Sequence, residues 1–382
     1  MRDSKKIKIA HVRTSHGVFG AERVILGLLK AADKEKYDVS VILLASEPDL
    51  NHDFQNAIQR MGICVKNFLF NGRLDLTGVK KLRKYILHNN IDLIHCHDFK
   101  ANFYGIMATH GATVKKIATH HSSTKDSLLL RFYLWFNEFL FLRFFHRIIA
   151  ASTQLTQELW ARLLKKKVIF IPNGIDTEFF NEPINNGYDE PDLYISPGKT
   201  IMGIIGRLFP DKGHEDLFNA LAILKDEFPN LILLVVGDGP EKERLVSLRE
   251  KLGLRDEITF CGVRREMRKI YKILDLFVMP SIREGLPMAL LEAMLARVPV
   301  VATRVGEIPS VLDEGKRGRL IDPNNPKELY SEIKHLLYNP TRTENMVNEA
   351  EVFVHEKYSA VSMTRNTESL YCDLLGKKSL TH

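Results

Sequence analysis

Two carboxylates and two cations in the second half of the chain have the company needed to handle a polyanion. Glu284 stands in the loop S-I-R-E-G, residues 281–285, just ahead of a helix expected over 287–296. Free backbone N–H groups gather at such a junction and favour anions. Glu292 follows just over two helical turns later and projects to the same general side. Upstream, G-I-I-G-R-L-F-P-D-K-G at 203–213 places Arg207 and Lys212 in a loop after a strand. Two cations beside backbone N–H groups suit a diphosphate, because charge-assisted hydrogen bonds are strong there. Taken singly, each has a plainer reading: a helix cap, a solvated helix residue, a solvated loop.

The elements around them supply context. A strand over 276–279 runs into the Glu284 loop, and another over 300–303 follows the helix. Further strands are expected over 201–205, 231–236 and 258–260, alternating with helices over 214–227, 241–251 and 265–274. The first half repeats the alternation, with strands over 7–12, 39–45, 92–97, 117–121 and 148–152. Its clearest helices cover 21–32, 52–61 and 77–88. Short apolar runs between amphipathic helices imply α/β units with parallel sheets covered on both faces. Ligands in such sheets bind at the carboxyl ends of the strands. At 382 residues, two domains are the natural division. P-N-G-I-D at 172–176 and a stretch rich in Asn, Asp, Gly and Pro over 183–197 mark the boundary. The expected parts are a first domain 1–172, a linker 173–197, a second domain 198–358 and a C-terminal segment 359–382.

The first half holds other polar groups at strand ends. S-H-G-V-F-G-A-E-R at 15–23 offers Gly17 and Gly20 for close backbone approach to a ligand ahead of a helix, without matching G-x-G-x-x-G. His95 and His97 share one face of a strand, with Asp98 next. They suggest a metal pair, but no third ligand stands at helical spacing, so no metal is assigned. I-A-T-H-H-S-S at 117–123 ends a strand on His120 and His121.

Composition narrows the partners. The net charge of +7 hides an asymmetry: residues 1–172 carry +13 and the remainder −6. A basic half suggests something anionic. Nucleic acid is set aside because no recognition motif or basic arm is present; an anionic membrane surface fits better. The stretch 126–146 packs eight aromatics among Arg131, Asn137, Glu138 and Arg143, too interrupted to span a bilayer. It reads either as a buried helix or as an interfacial one. The four cysteines form no C-x-x-C pair, which points to a reducing compartment. No signal-peptide core precedes the first strand. The expected place is cytoplasmic, with peripheral attachment to the inner face of the membrane left open.

E-G-L-P-x-x-x-L-E-A followed by V-P-V-V-A-T, together with G-R-L-x-x-x-K-G, resembles the signature of the retaining GT-B glycosyltransferases of family GT4 (glycosyltransferase group 1). The resemblance covers nearly the whole chain. It implies a GT-B fold: two Rossmann-like domains facing a central cleft, the C-terminal helix crossing back to the first. It implies transfer of a hexose-type sugar from a nucleotide-sugar donor to a glycan or lipid-linked acceptor, as in polysaccharide or cell-envelope synthesis, with no cofactor and no metal. By the same resemblance Arg207 and Lys212 meet the leaving diphosphate, Glu292 the ribose, and Glu284 with His121 the transferred sugar. Gly17, Gly20, Val263, Gly285 and Leu286 complete the donor contacts. His120 stands where the family has an apolar residue, which leaves its choice against His121 open. Arg297 stands where glycine is usual, and in R-V-G-E-I-P-S Glu307 and Ser310 replace the family's second glycine and glutamate, while Gly306 and the N–H groups after it keep a phosphate contact open. A nucleotide-sugar epimerase or sugar phosphorylase on the same fold, and a non-catalytic nucleotide-sugar binder, are the alternatives.

Overall fold

The computed structural model describes residues 6–14, 20–45, 52–71, 74–120, 141–159, 164–181 and 195–377. It divides into two compact units, Met1–Ile175 with Ser359–His382, and Asp176–Tyr358.

The first unit is built on seven strands: β1 (Ile7–Arg13), β2 (Tyr37–Ala45), β3 (Cys64–Leu69), β4 (Leu93–Cys96), β5 (Lys115–His120), β6 (Arg147–Ala150) and β7 (Val168–Phe170). They form one sheet in the order β3-β2-β1-β4-β5-β6-β7, every pairing parallel. This is the doubly wound order, with its reversal between β1 and β4. Helices cover both faces, burying Leu82 and Ile86 on one side and Ile25, Leu29, Phe54 and Ile58 on the other. The edge strands β3 and β7 escape a search for apolar runs, since β3 alternates half-exposed positions and carries Lys66 and Asn67.

The helix Ala360–Leu375 belongs to this unit. It packs on the helix Gly20–Ala31, where an added Cβ on Gly27 would stand 3.1 Å from the Cβ of Ala360. The linker expected over 173–197 does not begin where its turn chemistry suggests. Ile175 bridges Ser359, Ala360 N–H donates to Ile175 O at 2.7 Å, and a Cβ on Gly174 would meet Ser359 O at 2.7 Å. Residues 173–175 are thus pinned to the returning chain. Residues 182–194 lie outside the described residues.

The second unit has six strands: β8 (Thr200–Ile205), β9 (Leu231–Val236), β10 (Ile258–Gly262), β11 (Leu276–Met279), β12 (Val300–Thr303) and β13 (Arg319–Ile321). Their order, β10-β9-β8-β11-β12-β13, repeats the doubly wound pattern, with the reversal between β8 and β11. All six residues of β9 are buried, as a central strand covered on both faces requires.

Strand order in the first unit also creates a feature that spacing alone could not. His11 on β1 is in register with His95 on β4. With His97 just past the strand end, they make a buried trio whose rings lie 4.2 to 5.2 Å apart, centroid to centroid. His11 Nδ1 and His97 Nε2 share a hydrogen bond of 2.8 Å, and His95 bonds Tyr371 Oη and Thr119 Oγ1, each at 2.6 Å. Burial pulls the His11 imidazole down to about 3. In the unfolded chain it protonates near 6.5. Between these values the unfolded state holds the extra proton, so stability falls as pH falls through that window, by about 1.4 kcal/mol per pH unit from this group. The thermal midpoint should therefore drop between pH 7 and pH 5, and drop less in His11→Asn. Equal drops in the two proteins would show that His11 does not carry the effect.

Candidate functional site

Of the residues singled out by type and spacing in the second half, Lys212 and Glu284 meet at the carboxyl ends of β8 and β11, across the sheet's reversal point. The loop after β8 carries Arg207 and Lys212. It closes with the short 3-10 turn Pro210–Lys212 and with Gly213 in the left-handed region, at φ 71°. A Cβ on Gly213 would come within 1.9 Å of Pro280 O, and Ile282 N–H donates to Asp211 O at 2.8 Å. Only glycine allows this approach. The loops after β8 and β11 therefore run against each other, which sets Lys212 Nζ 2.7 Å from Glu284 Oε1.

Glu284 is held from two more directions. Ser281 Oγ donates to the same carboxylate oxygen at 2.8 Å. Ser281 O in turn accepts from Thr303 Oγ1, at the end of β12, at 2.6 Å. On the β12 side, Gly306 has φ 57°, and a Cβ there would fall 2.2 Å from Glu284 O. Glu307 N–H donates to Gly285 O at 3.0 Å. This removes one plainer reading and corrects one expectation. Glu284 is not the cap of the following helix, Met288–Leu295, whose N-cap is Pro287; its carboxylate answers a lysine and a serine instead. The N–H of Glu307 is engaged by Gly285 O rather than left for phosphate.

The side chains of Lys212 and Glu284 are 20 % and 11 % exposed. At that depth each charge compensates the other, and removing one partner would leave a partly buried charge unpaired. An anion offered to Lys212 competes with Glu284 and frees that carboxylate to accept hydroxyl hydrogens. Arg207 is exposed and lies over the ring of Phe209, its Cζ 4.5 Å from the centroid. A Cβ on Gly206 or on Gly285 would meet no atom within 4 Å, so open space lies beside both.

Glu292 sits on the helix Met288–Leu295, and its Oε2 accepts from Tyr271 Oη at 2.8 Å. That helix ends in a Schellman turn: Val298 N–H donates to Ala293 O and Arg297 N–H to Met294 O. Arg297 adopts φ 61° there, the conformation glycine takes more easily, while its guanidinium pairs with Glu351 at 2.9 Å. Val263, just past β10, is 73 % exposed. The segment after it is fixed by the buried two-point pair of Arg268 with Glu266, at 2.7 and 2.8 Å.

Lys212 and Glu284 are thus in direct contact, Gly285 and Leu286 continue their loop, and Glu292 and Val263 belong to the same unit. In the first unit, Gly20 is the first residue of the helix Gly20–Ala31 rather than a loop residue. His120 ends β5. Gly17, His121 and the aromatic residues 126–140 lie outside the described residues. Ser281, Thr303 and Tyr271 were not anticipated. Ser281 stands close enough to Glu284 in sequence to have been weighed, whereas nothing local connects Tyr271 to Glu292. Among the described residues, His11, His95 and His97 are the one group grouped like metal ligands. Both nitrogens of His95 are engaged, and the 2.8 Å between His11 and His97 is shorter than the roughly 3.3 Å separating two imidazole nitrogens on a tetrahedral ion.

Comparison with known proteins covers most of the chain. The family described as glycosyl transferases group 1 matches residues 189–353, and the family described as glycosyltransferase family 4 matches residues 8–179. An Escherichia coli UDP-Gal:alpha-D-GlcNAc-diphosphoundecaprenol alpha-1,3-galactosyltransferase is 28% identical over 335 residues, 84% of this chain and 85% of that one. A Mycolicibacterium smegmatis phosphatidyl-myo-inositol mannosyltransferase is 29% identical over 293 residues, 74% of this chain and 72% of that one. Among solved structures, Anabaena Alr3699/HepE in complex with UDP superposes with a TM-score of 0.79 at 22% identity, covering 96% of this chain and all of that one. The fold is therefore the two-unit GT-B architecture of that protein.

The glycine contacts separate packing from ligand space. Gly213→Ala adds backbone strain of about 1–3 kcal/mol to an overlap with Pro280 O, and should lower the thermal midpoint of the protein. Gly285→Ala should leave the midpoint unchanged and weaken ligand binding. Equal destabilisation by the two substitutions would contradict the geometry.

Proposed function

Because the chain belongs to the group 1 glycosyltransferases of the GT-B fold, we propose that it moves a hexose-type sugar from a nucleoside-diphosphate donor to a lipid-linked acceptor, with retention of anomeric configuration. The observation that carries this reading is the Lys212–Glu284 pair across the β8–β11 reversal. It couples a cation suited to a diphosphate with a carboxylate suited to sugar hydroxyls. The donor is taken to be a UDP-sugar. Support comes from the E. coli relative, whose name specifies UDP-Gal, and from the UDP-bound structural neighbour. The acceptor is taken to carry a lipid, since that relative and the M. smegmatis one are named for diphosphoundecaprenol and phosphatidylinositol acceptors.

On this reading the second unit holds the donor. Glu292 accepts hydrogen bonds from the ribose, and exposed Val263 lies beside the base. When the diphosphate arrives, Lys212 turns to it from Glu284, and Glu284 takes hydroxyls of the sugar. The bond from the anomeric carbon to the β-phosphate oxygen breaks. The acceptor oxygen bonds that carbon on the same face, and its proton passes to the leaving phosphate. Arg207 and Lys212 stabilise the charge growing on the diphosphate, an electrostatic contribution already in place before reaction. No carboxylate is assigned as a nucleophile for a double displacement. The basic first half suits an anionic membrane surface where a lipid-linked acceptor resides. No described helix is long and apolar enough to cross a membrane.

The assay is transfer from UDP-glucose and UDP-galactose to a polyprenyl-diphosphate-linked sugar, run with EDTA. Arg207→Ala and Lys212→Ala should each lower turnover about 10²-fold or more, the size expected for a lost transition-state donor. Full turnover in both variants would defeat the assignment of the leaving-group site. Loss of wild-type activity in EDTA, restored by Mg²⁺ or Mn²⁺, would defeat the metal-free scheme.

A further inference from the structure

We propose that Tyr271 is a positioning residue for the donor's ribose, acting through Glu292; this rests on the reading of Glu292 as the acceptor of ribose hydroxyls. Tyr271 lies on the helix Met267–Ile273 and is 1 % exposed. Its ring is set among other rings of the second unit, with centroids 6.2 Å from Phe277 on β11 and 6.1 Å from Phe180. From this fixed base the hydroxyl reaches the neighbouring helix Met288–Leu295. It stands 2.8 Å from Glu292 Oε2 and 3.2 Å from Ala289 O. The hydroxyl has one proton, and the shorter, charge-assisted contact is the one to the carboxylate.

The consequence lies in what a glutamate costs to order. Its side chain turns about three bonds, and a carboxylate free to rotate loses that freedom when a ligand fixes it. Glu292 does not have that freedom. One of its oxygens is tied to a phenol whose place is set by core packing, so the carboxylate is aimed before the nucleotide arrives. Tyr271 touches no part of the donor on this scheme. Its effect must therefore appear only for ligands whose hydroxyls Glu292 receives. Loss of the phenol should weaken a ribonucleotide and spare an analogue without ribose hydroxyls.

The test is calorimetric binding of a nucleoside diphosphate and its 2′,3′-dideoxy counterpart to the full-length protein, using whichever of UDP, GDP and ADP binds wild type. Tyr271→Phe keeps the ring and removes the hydroxyl. We expect the Kd of the ribonucleotide to rise 5- to 10-fold and that of the dideoxy analogue to stay within 2-fold, so that the preference for ribose collapses. The ratio of the two constants does not depend on the folded fraction, so a loss of stability in the variant does not obscure it. Weakening of both ligands alike, or of neither, overturns the role of Tyr271. In Glu292→Ala the ribose preference should already be gone, and adding Tyr271→Phe should change nothing more. If Glu292→Ala instead keeps the wild-type preference, the ribose reading of Glu292 itself fails. If Glu292→Ala loses the preference and Tyr271→Phe keeps it, only the inference about Tyr271 fails.

Discussion

Two contacts between backbone and glycine govern the second unit. Gly213 lies so close to Pro280 O, and Gly306 so close to Glu284 O, that no side chain fits at either position. The loop after β11 is thereby held between the loops after β8 and β12. Everything chemical in the site depends on that confinement. It brings a lysine and a glutamate separated by 72 residues to 2.7 Å. It also lets Ser281 and Thr303 brace the glutamate in series. The backbone of the loops is thus set before a ligand arrives, and only the side chains of Lys212 and Glu284 have to exchange partners. The Lys212–Glu284 pair is also a lock. Separating partly buried partners is costly unless each finds a substitute. A ligand with both an anionic and a hydroxylated part supplies both substitutes at once.

The two sheets share one strand order, but their reversal points differ. In the second unit, polar side chains meet there near the surface. In the first, the strands on either side of the reversal, β1 and β4, carry His11 and His95, which are buried with His97; His11 is hydrogen-bonded to His97 and His95 to Thr119. Tyr371 bonds one of them, and Tyr37 is 3.1 Å from Cys372 Sγ. These polar contacts fasten the C-terminal helix to strands far from it in sequence. The trio is a buried, hydrogen-bonded fixture, and burial opposes protonation of its His11.

Much of this was legible from residue order because central parallel strands are continuous apolar runs. β9, β11 and β12 fall at their expected bounds, as does the helix His214–Glu227. Glu284 and Lys212 stand out because strand-end loops concentrate polar groups in an otherwise apolar stretch, and Glu292 because it is a lone carboxylate on an apolar helix. The remainder depends on proximity that no local pattern encodes. His11 joins His95 only through strand order. Tyr271 meets Glu292 only because two helices pack side by side. Edge strands β3 and β13 are short or half-exposed. Turn chemistry at 172–176 read as the start of a linker because its partner, Ser359, lies at the far end of the chain. Arg297 keeps the turn that glycine makes elsewhere, at the expense of a left-handed backbone.

On the proposed function, the confined loops after β8, β11 and β12, with the segment after β10, receive the nucleotide. Hydrogen exchange of the full-length protein with and without saturating UDP measures this directly, peptide by peptide. Slowed exchange is expected over residues 206–213, 261–267, 281–293 and 304–308, with the sheet strands beneath them unchanged. A footprint that leaves these segments untouched while binding is saturated would contradict it.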